Sequence, residues 1–370
     1  MLGRVPPLRH TPSWIFSPRP FSLYTQQNRQ FCALASQPNP FTSSTRHQIE
    51  EKGHLATRSC FNQPNMATTK ASFSTSATRS AASNTPDWSA TQYLKFGNER
   101  TRPVHDLVAQ ILPSIKTPTP RIYDLGCGPG NSTTVLADAF PGAKIMGVDS
   151  SPDMIRKASA TFEARGGEQV VKFEKGNLEK YAPEREVDLL FSNAVFHWLR
   201  SPKRIPTLIR LVERLKPGGV LAFQVPDNYN EPTHVAMREV ASQTDRPWSS
   251  SFASSSIGDL TNASRPDLDP IESPSTFYKS FMQSGMCETV NLWRTQYQHV
   301  LQGHGAIVEW VKGTGLQPYL NMMKGEEEKK AFLEEYERAL SEKYESIEVE
   351  DGKKVVLLQY PRLFVVAVRK

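Results

Sequence analysis

The chain has 370 residues, 38% of them hydrophobic and 22% charged, with a formal net charge of +6. That length allows one large or two ordinary domains with a sizeable core, and no apolar run approaches the roughly eighteen residues that a membrane-spanning helix needs. The charge suggests nucleic acid until it is placed along the chain: residues 1–86 hold nine Lys/Arg against two acids, leaving 35 Lys/Arg against 36 Asp/Glu in a near-neutral remainder, which argues against a basic nucleic-acid surface.

Residues 1–86 read as a leader. They are rich in Arg, Ser, Thr, Pro and aromatic residues, poor in acids, and open MLGRVPPLRHTPSWIFSPRPFSLY. This composition predicts a mitochondrial transit segment and a mitochondrial location, with a cytoplasmic location as the alternative. A tail without an address, or a start at Met66, would account for the same residues. The cysteines, Cys32, Cys60, Cys127 and Cys287, are far apart. They form no CxxC or Cys/His cluster, so neither a metal site nor a disulfide framework is expected.

From about residue 87 the pattern becomes regular. Leu107, Val108, Ile111 and Leu112 recur at helical spacing after Pro103, taken as a first-turn residue. RIYDL then reads as a strand, STTVLADAF as a helix, AKIMGVD as a second strand, and SPDMIRKASATFEA as a helix capped by Ser150 or Ser151 with Pro152 in its first turn. VVKFEKGN and VDLLFSNAVFHWL read as the third and fourth strands. PKRIPTLIRLVERLK is a helix stopped by Pro217-Gly218-Gly219, and VLAFQVP a fifth strand. Such alternation of helices with apolar, β-branched strands indicates a parallel sheet covered on both faces. Loop and helical insertions are expected at about 227–285 and 304–350, around a sixth strand at ETVNLWRTQYQHVL, and KKVVLLQYPRLFVVAVRK closes the chain as an antiparallel strand.

The stretch IYDLGCGPGNSTTVLADAFPGAKIMGVDSS holds two strands, each ending near an aspartate, with a glycine cluster between them. Open α/β sheets bind ligands beyond the carboxyl ends of their strands, where the strand order switches. Gly126, Gly128 and Gly130 let the backbone turn tightly and approach a ligand. Asp149, ending the second strand, can accept from both hydroxyls of a ribose. The glycines do not match a dinucleotide fingerprint, because Asn131 stands at the sixth position of G-x-G-x-x-G, and no Gly-Lys-Ser/Thr follows to make a P-loop. A plain tight turn, and an Asp149 that merely caps the next helix, remain alternatives at this point.

Together with GNLEKY and FSNAVFHWL, these residues resemble a class I S-adenosylmethionine-dependent methyltransferase. WSATQYLKFGNERTRPVHDL, LKPGGVLAFQVPDN, LWRTQYQHVLQGHGAIVEWVKGTGLQPYL and YPRLFVVAVR resemble the trans-aconitate methyltransferases within that superfamily. The resemblance covers about residues 87–370, which would then form a single methyltransferase domain. It implies a Rossmann-like fold: a mostly parallel seven-stranded sheet with helices on both faces and an antiparallel C-terminal strand. It also implies S-adenosylmethionine as cofactor, with Asp124, Gly126, Cys127 and Gly128 around its methionine portion. Asp149 and Ser150 would meet the ribose, Met154, Asn177 and Leu178 the adenine, and Asn193 the boundary between cofactor and acceptor.

The acceptor implied is a small polycarboxylate such as trans-aconitate. A carboxylate is already ionised at neutral pH, so no acid/base residue is expected, and cationic and hydrogen-bonding groups must hold the carboxylates that do not react. Where the resemblance puts that pocket, the sequence offers Arg100, His197, Trp198, Trp293, Tyr297 and His299, with Arg102, Tyr93, Phe96, Trp310 and Lys312 nearby. Strand alternation places Trp293, Tyr297 and His299 on one face and Arg294 on the other. Arg294 reads rather as a surface or ion-pair residue, and Trp310 as core. No metal site, nucleic-acid partner or membrane span is expected. Methylation of another small molecule at O, N or C, or a catalytically silent assembly factor of the same fold, remain alternatives.

Overall fold

Strand runs that are apolar along their whole length are comfortable only between two helical layers. β4 (Val187–Asn193) is such a run, buried along its whole length, and with β1 (Arg121–Leu125), β2 (Lys144–Asp149), the more polar edge strand β3 (Val171–Lys175) and β5 (Leu215–Pro226) it builds the parallel part of the sheet. The structure, a computed structural model, describes residues 96–166 and 170–370. The expected leader, with Cys32 and Cys60, and Tyr93 lie outside the described residues.

The strand order is β3-β2-β1-β4-β5-β8-β6. Here β6 is Cys287–Leu301, β7 is the two-residue Ile347–Glu348, and β8 is Lys354–Arg369. β8 runs antiparallel to both β5 and β6, and β7 pairs with β8 off the main path. The sheet is thus the expected mostly parallel one with antiparallel C-terminal strands, and β7 raises its strand number from seven to eight. The order reverses between β1 and β4, so the loops at their carboxyl ends open onto one crevice.

Alternate residues of the central strands feed opposite layers. On one face Ile122, Leu189, Phe191 and Val366 pack against α1 (Gly97–Ile111) and α2 (Asn131–Ala139). On the other, Leu190, Leu221, Phe223 and Val365 pack against α4 (Ser201–Val212) and α7 (Pro274–Gln283). α3 (Pro152–Arg165) joins β2 to β3. Its N-cap is Ser151, whose hydroxyl accepts from the Met154 N–H.

The two insertions build a third core. α5 (Pro232–Ala241) and α6 (Ser249–Phe252) precede α7, while α8 (His304–Lys312), α9 (Gln317–Met322) and α10 (Glu326–Lys343) lie between β6 and β7. Trp248, Trp310, Phe332 and Tyr336 fill their centre against Val356, Leu358 and Tyr360 of β8. Each aromatic side chain removed from water there contributes about 1.5–3 kcal/mol.

Three local expectations change. α1 begins at Gly97, so Pro103 lies inside the helix and not in its first turn. α4 ends at Val212, and Leu215 through Gly219 already belong to β5, because Val187 of β4 pairs with Leu215 across an irregular register. β4 stops at Asn193, after which Phe196–Trp198 forms a 3-10 turn, aided by a left-handed Ala194 at φ 57°.

Candidate active site

The glycine loop after β1 is built for closeness. Gly126 has φ +75°, and a Cβ there would meet Val195 Cγ2 at 2.2 Å. Its N–H and that of Cys127 both donate to Val148 O, at 2.7 and 3.0 Å, which folds the loop back over β2. Gly128 (φ +54°) leaves open space where a side chain would stand. The loop is tied to the end of β2 through Asp149, which accepts from Gly128 N–H at 3.0 Å and from Ser151 N–H at 2.9 Å. Burial raises the Asp149 carboxyl above its usual range, and the loop N–H groups partly counter this.

Asp124 supports the loop from beneath. It is fully buried and accepts at Oδ2 from the Ser132 hydroxyl at 2.8 Å and the Thr133 hydroxyl at 2.6 Å. Burial pushes its carboxyl up to about 6, with the two hydroxyls lowering it and the nearby Asp149 charge raising it. Its Oδ1 has no hydrogen-bond partner among the described residues.

These parts form one wall of a cleft over the switch point. Gly126, Gly128, Asp149, Ser150 and Met154 line that wall, followed by Asn177 and Leu178. Met154 and Leu178 are buried, giving an apolar slot beside the Asp149 carboxylate. Asn177 accepts from Glu179 N–H at 3.0 Å and so holds the turn after β3. The opposite wall carries Asn193, His197, Trp198, Arg100, Tyr360 and Arg362.

The far wall is aromatic and cationic. Arg100 is buried, donates from Nη2 to Trp310 O at 2.9 Å, and stands 4.8 Å over the Trp310 ring. His197 sits beside Trp198, ring centroids 4.8 Å apart. Its pKa is held well below the ordinary value by burial first, then by Arg362, Arg204 and His234, so the ring is neutral at pH 7. Its Nδ1 is buried without a hydrogen-bond partner among the described residues.

Several expected site residues are placed elsewhere. Asp124 and the buried Cys127 lie under the loop and do not line the cleft. Burial first, then Asp124 and Asp149, pushes the Cys127 thiol well up, which makes it a poor nucleophile. Trp293, Tyr297 and His299, expected at the acceptor, do not line this cleft and make packing contacts instead. Trp293 stacks on Phe364 at 4.7 Å, and Tyr297 donates to Asp106 Oδ2 at 2.5 Å. His299 stacks on Trp310 at 4.5 Å and lies 6.1 Å from the Tyr360 ring. β6 is the edge strand, so its inward side chains meet α1, α8 and β8 before they can reach the crevice. Arg294, expected at the surface, pairs with Asp227 at 2.7 Å. Trp310 is core, as expected.

Two polar residues of the cleft region were not expected from the sequence. Arg362 is buried and donates from Nη1 to Gln224 Oε1 at 3.1 Å, and Gln224 donates in turn from Nε2 to Asn193 Oδ1. One signal was available: Arg362 is the one charged residue between Lys354 and Arg369, in an otherwise apolar strand. Gln224 had the same signature in VLAFQVP. Among the described residues no three His, Cys, Asp or Glu side chains gather as a metal set.

A family profile described as a methyltransferase domain matches residues 122–219, which span β1 through the start of β5. The chain is 42% identical over 283 residues to the trans-aconitate 2-methyltransferase of Rhizobium rhizogenes, covering 76% of this chain and 99% of that protein. The enzyme of the same name from Agrobacterium fabrum is 42% identical over 286 residues, with 76% of this chain and 99% of that protein covered. That from Methylobacterium nodulans reaches 44% over 283 residues, with 76% and 98% covered. The chain belongs to the trans-aconitate 2-methyltransferase family.

As a member of this family it is a class I methyltransferase that uses S-adenosylmethionine, and its acceptor is a small molecule. The family also corrects one expectation. The relatives are bacterial enzymes, which overturns the mitochondrial location read from the leader's composition. Among the described residues no helix is long and apolar enough to cross a membrane.

Proposed function

We propose that this protein transfers the methyl group of S-adenosylmethionine to one carboxylate of trans-aconitate, giving a methyl ester. The observation that carries this reading is 42% identity along nearly the whole length of relatives bearing that activity in their names. The cleft supports it, because one wall suits a nucleoside and the other suits an anion.

The residues of the first wall fit the cofactor. Gly128 leaves room at the loop, Asp149 presents a carboxylate at the end of β2, and Met154 and Leu178 supply an apolar slot. Bound there, S-adenosylmethionine supplies an electrophilic methyl group on a sulfonium, open to a single in-line displacement by a carboxylate oxygen.

The chain's own work is then to hold and align. Arg100 meets the acceptor's charge from a buried site on Trp310, where a guanidinium is weakly hydrated and presents a planar fork. Trp198 and Leu199 exclude water from the same wall. Asn193, at the end of β4, stands where the two ligands would meet. The neutral His197 can donate or accept a hydrogen bond but carries no charge to repel the sulfonium. A carboxylate nucleophile needs no proton removed, so most of the acceleration comes from orientation.

The test is transfer of labelled methyl from S-adenosylmethionine to a panel of mono-, di- and tricarboxylates. Trans-aconitate is expected to be the best acceptor, with mono-acids poor, with turnover surviving a chelator and varying little from about pH 7 to 9. Cofactor binding without transfer to any acid would instead identify a silent assembly factor. Transfer to an amine or phenol in preference to the acids would identify a different methyltransferase.

A further inference from the structure

Arg362 is only 4% exposed, yet it lines the cleft. A guanidinium stays charged at any pH the protein survives, and burying that charge is costly unless its surroundings are arranged for it. Here they are. Gln224 Oε1 accepts from Nη1 at 3.1 Å, and Asn193 Oδ1 accepts from Gln224 Nε2. The guanidinium carbon lies 4.9 Å over the Tyr360 ring. A buried amide relay and a ring face therefore fix the plane of the fork from two directions.

Arg100 is held in the same manner, 4.8 Å over the Trp310 ring. The Trp310 and Tyr360 rings are themselves neighbours, edge to face with centroids 5.5 Å apart. Two guanidiniums thus stand on adjoining aromatic rings at one end of the cleft, opposite the wall that suits the cofactor. Both charges help keep His299 neutral, with a pKa lowered to about 4 after burial, and the Arg362 charge also acts on His197.

We propose that Arg362 is a specificity-determining residue that holds a second distal carboxylate of the acceptor, so that Arg100 and Arg362 together select a tricarboxylate. The proposal rests on the functional reading above. A tricarboxylate offers one oxygen to the methyl group and leaves two carboxylates to be taken out of water, each needing a charged, hydrogen-bonding partner. One arginine satisfies a dicarboxylate acceptor. Two, oriented independently, make the third carboxylate part of recognition. The Gln224–Asn193 relay links this anchor to the end of β4, so seating of the distal carboxylate and placement of the reacting one share a rigid support.

The experiment compares the parent with Arg362→Lys and Arg362→Met, using trans-aconitate and three dicarboxylates that each lack one of its carboxylates: itaconate, mesaconate and glutaconate. These serve both as acceptors and as competitive inhibitors. Both variants should raise KM for trans-aconitate by about tenfold or more, with kcat within about threefold of the parent. Affinity for S-adenosylmethionine, read by calorimetry, should not change. The penalty should disappear for the one dicarboxylate that lacks the group Arg362 holds. Should the Met variant fail to fold, the Lys variant decides, since it keeps the charge and loses only the fork.

An equal penalty on all four acids, a lost cofactor affinity, or an unchanged KM for trans-aconitate would each overturn the assignment. Failure of the parent to methylate trans-aconitate would overturn the functional reading itself, and it is seen before any variant is made.

Discussion

The Asp149 carboxylate accepts the Gly128 N–H at 3.0 Å, which joins the end of β2 to the glycine loop of β1. Its other oxygen accepts from Ser151 N–H, at the start of α3. One side chain thus organises three elements around this wall and still faces the cleft.

Asp149→Ala should therefore weaken S-adenosylmethionine binding while the protein stays folded. Hydrogen bonds to a charged acceptor are worth about 1.5–3 kcal/mol, so a loss of at least about tenfold in Kd is expected. Calorimetry on the folded variant reads it directly, and unchanged affinity would remove Asp149 from the site.

Gly126→Ala should destabilise the fold in two separable ways. The left-handed backbone costs about 1–2 kcal/mol with a Cβ present, and the collision with Val195 adds about 1–3 kcal/mol. A drop of several degrees in Tm is expected. Adding Val195→Ala should return the steric part and leave the backbone part, a pattern that a melting comparison of the four proteins would show or refute.

Asp124 predicts a pH dependence of stability. Its carboxyl titrates at about 6 in the fold, because burial outweighs the two hydroxyl hydrogen bonds, and near 3.8 when unfolded. An acid with a raised folded pKa is harder to ionise in the fold than in the open chain. Its penalty is absent below about pH 4, grows as the pH rises to about 6, and is constant above that, reaching on the order of 3 kcal/mol. Asp124→Asn does not ionise, so without cofactor the parent should lose stability relative to this variant between about pH 4 and 6. Urea midpoints that keep a constant difference over that range would contradict the assignment.

Removal of residues 1 to about 80 should leave methyl transfer within about twofold of the full chain. The motive is that 76% of this chain accounts for 99% of the Rhizobium rhizogenes relative, while the leader's composition differs from everything that follows. A soluble, folded, inactive protein starting near Ala81 would show that the leader takes part in the reaction.

The glycine-loop wall of the cleft was legible from the sequence because it is local. Gly126, Gly128, Asp149, Ser150 and Met154 sit within thirty residues, on two strand ends whose spacing dictates where they meet. Strand–helix alternation determined the sheet for a related reason: each apolar run demands cover on both faces, whatever its neighbours are. The opposite wall obeys no such local rule. Period-two alternation correctly put Trp293, Tyr297 and His299 on one face of β6. It could not say what that face would meet, and it meets α1, α8 and β8. Conversely, Arg362 and Gln224 lie far apart in the chain, in runs that read as plain core. They become a cleft-side pair only because β8, last in sequence, inserts antiparallel between β5 and β6. Local spacing determines which way a side chain points from its own strand; the pairing of distant strands, driven by burial of the whole sheet, decides what stands opposite it.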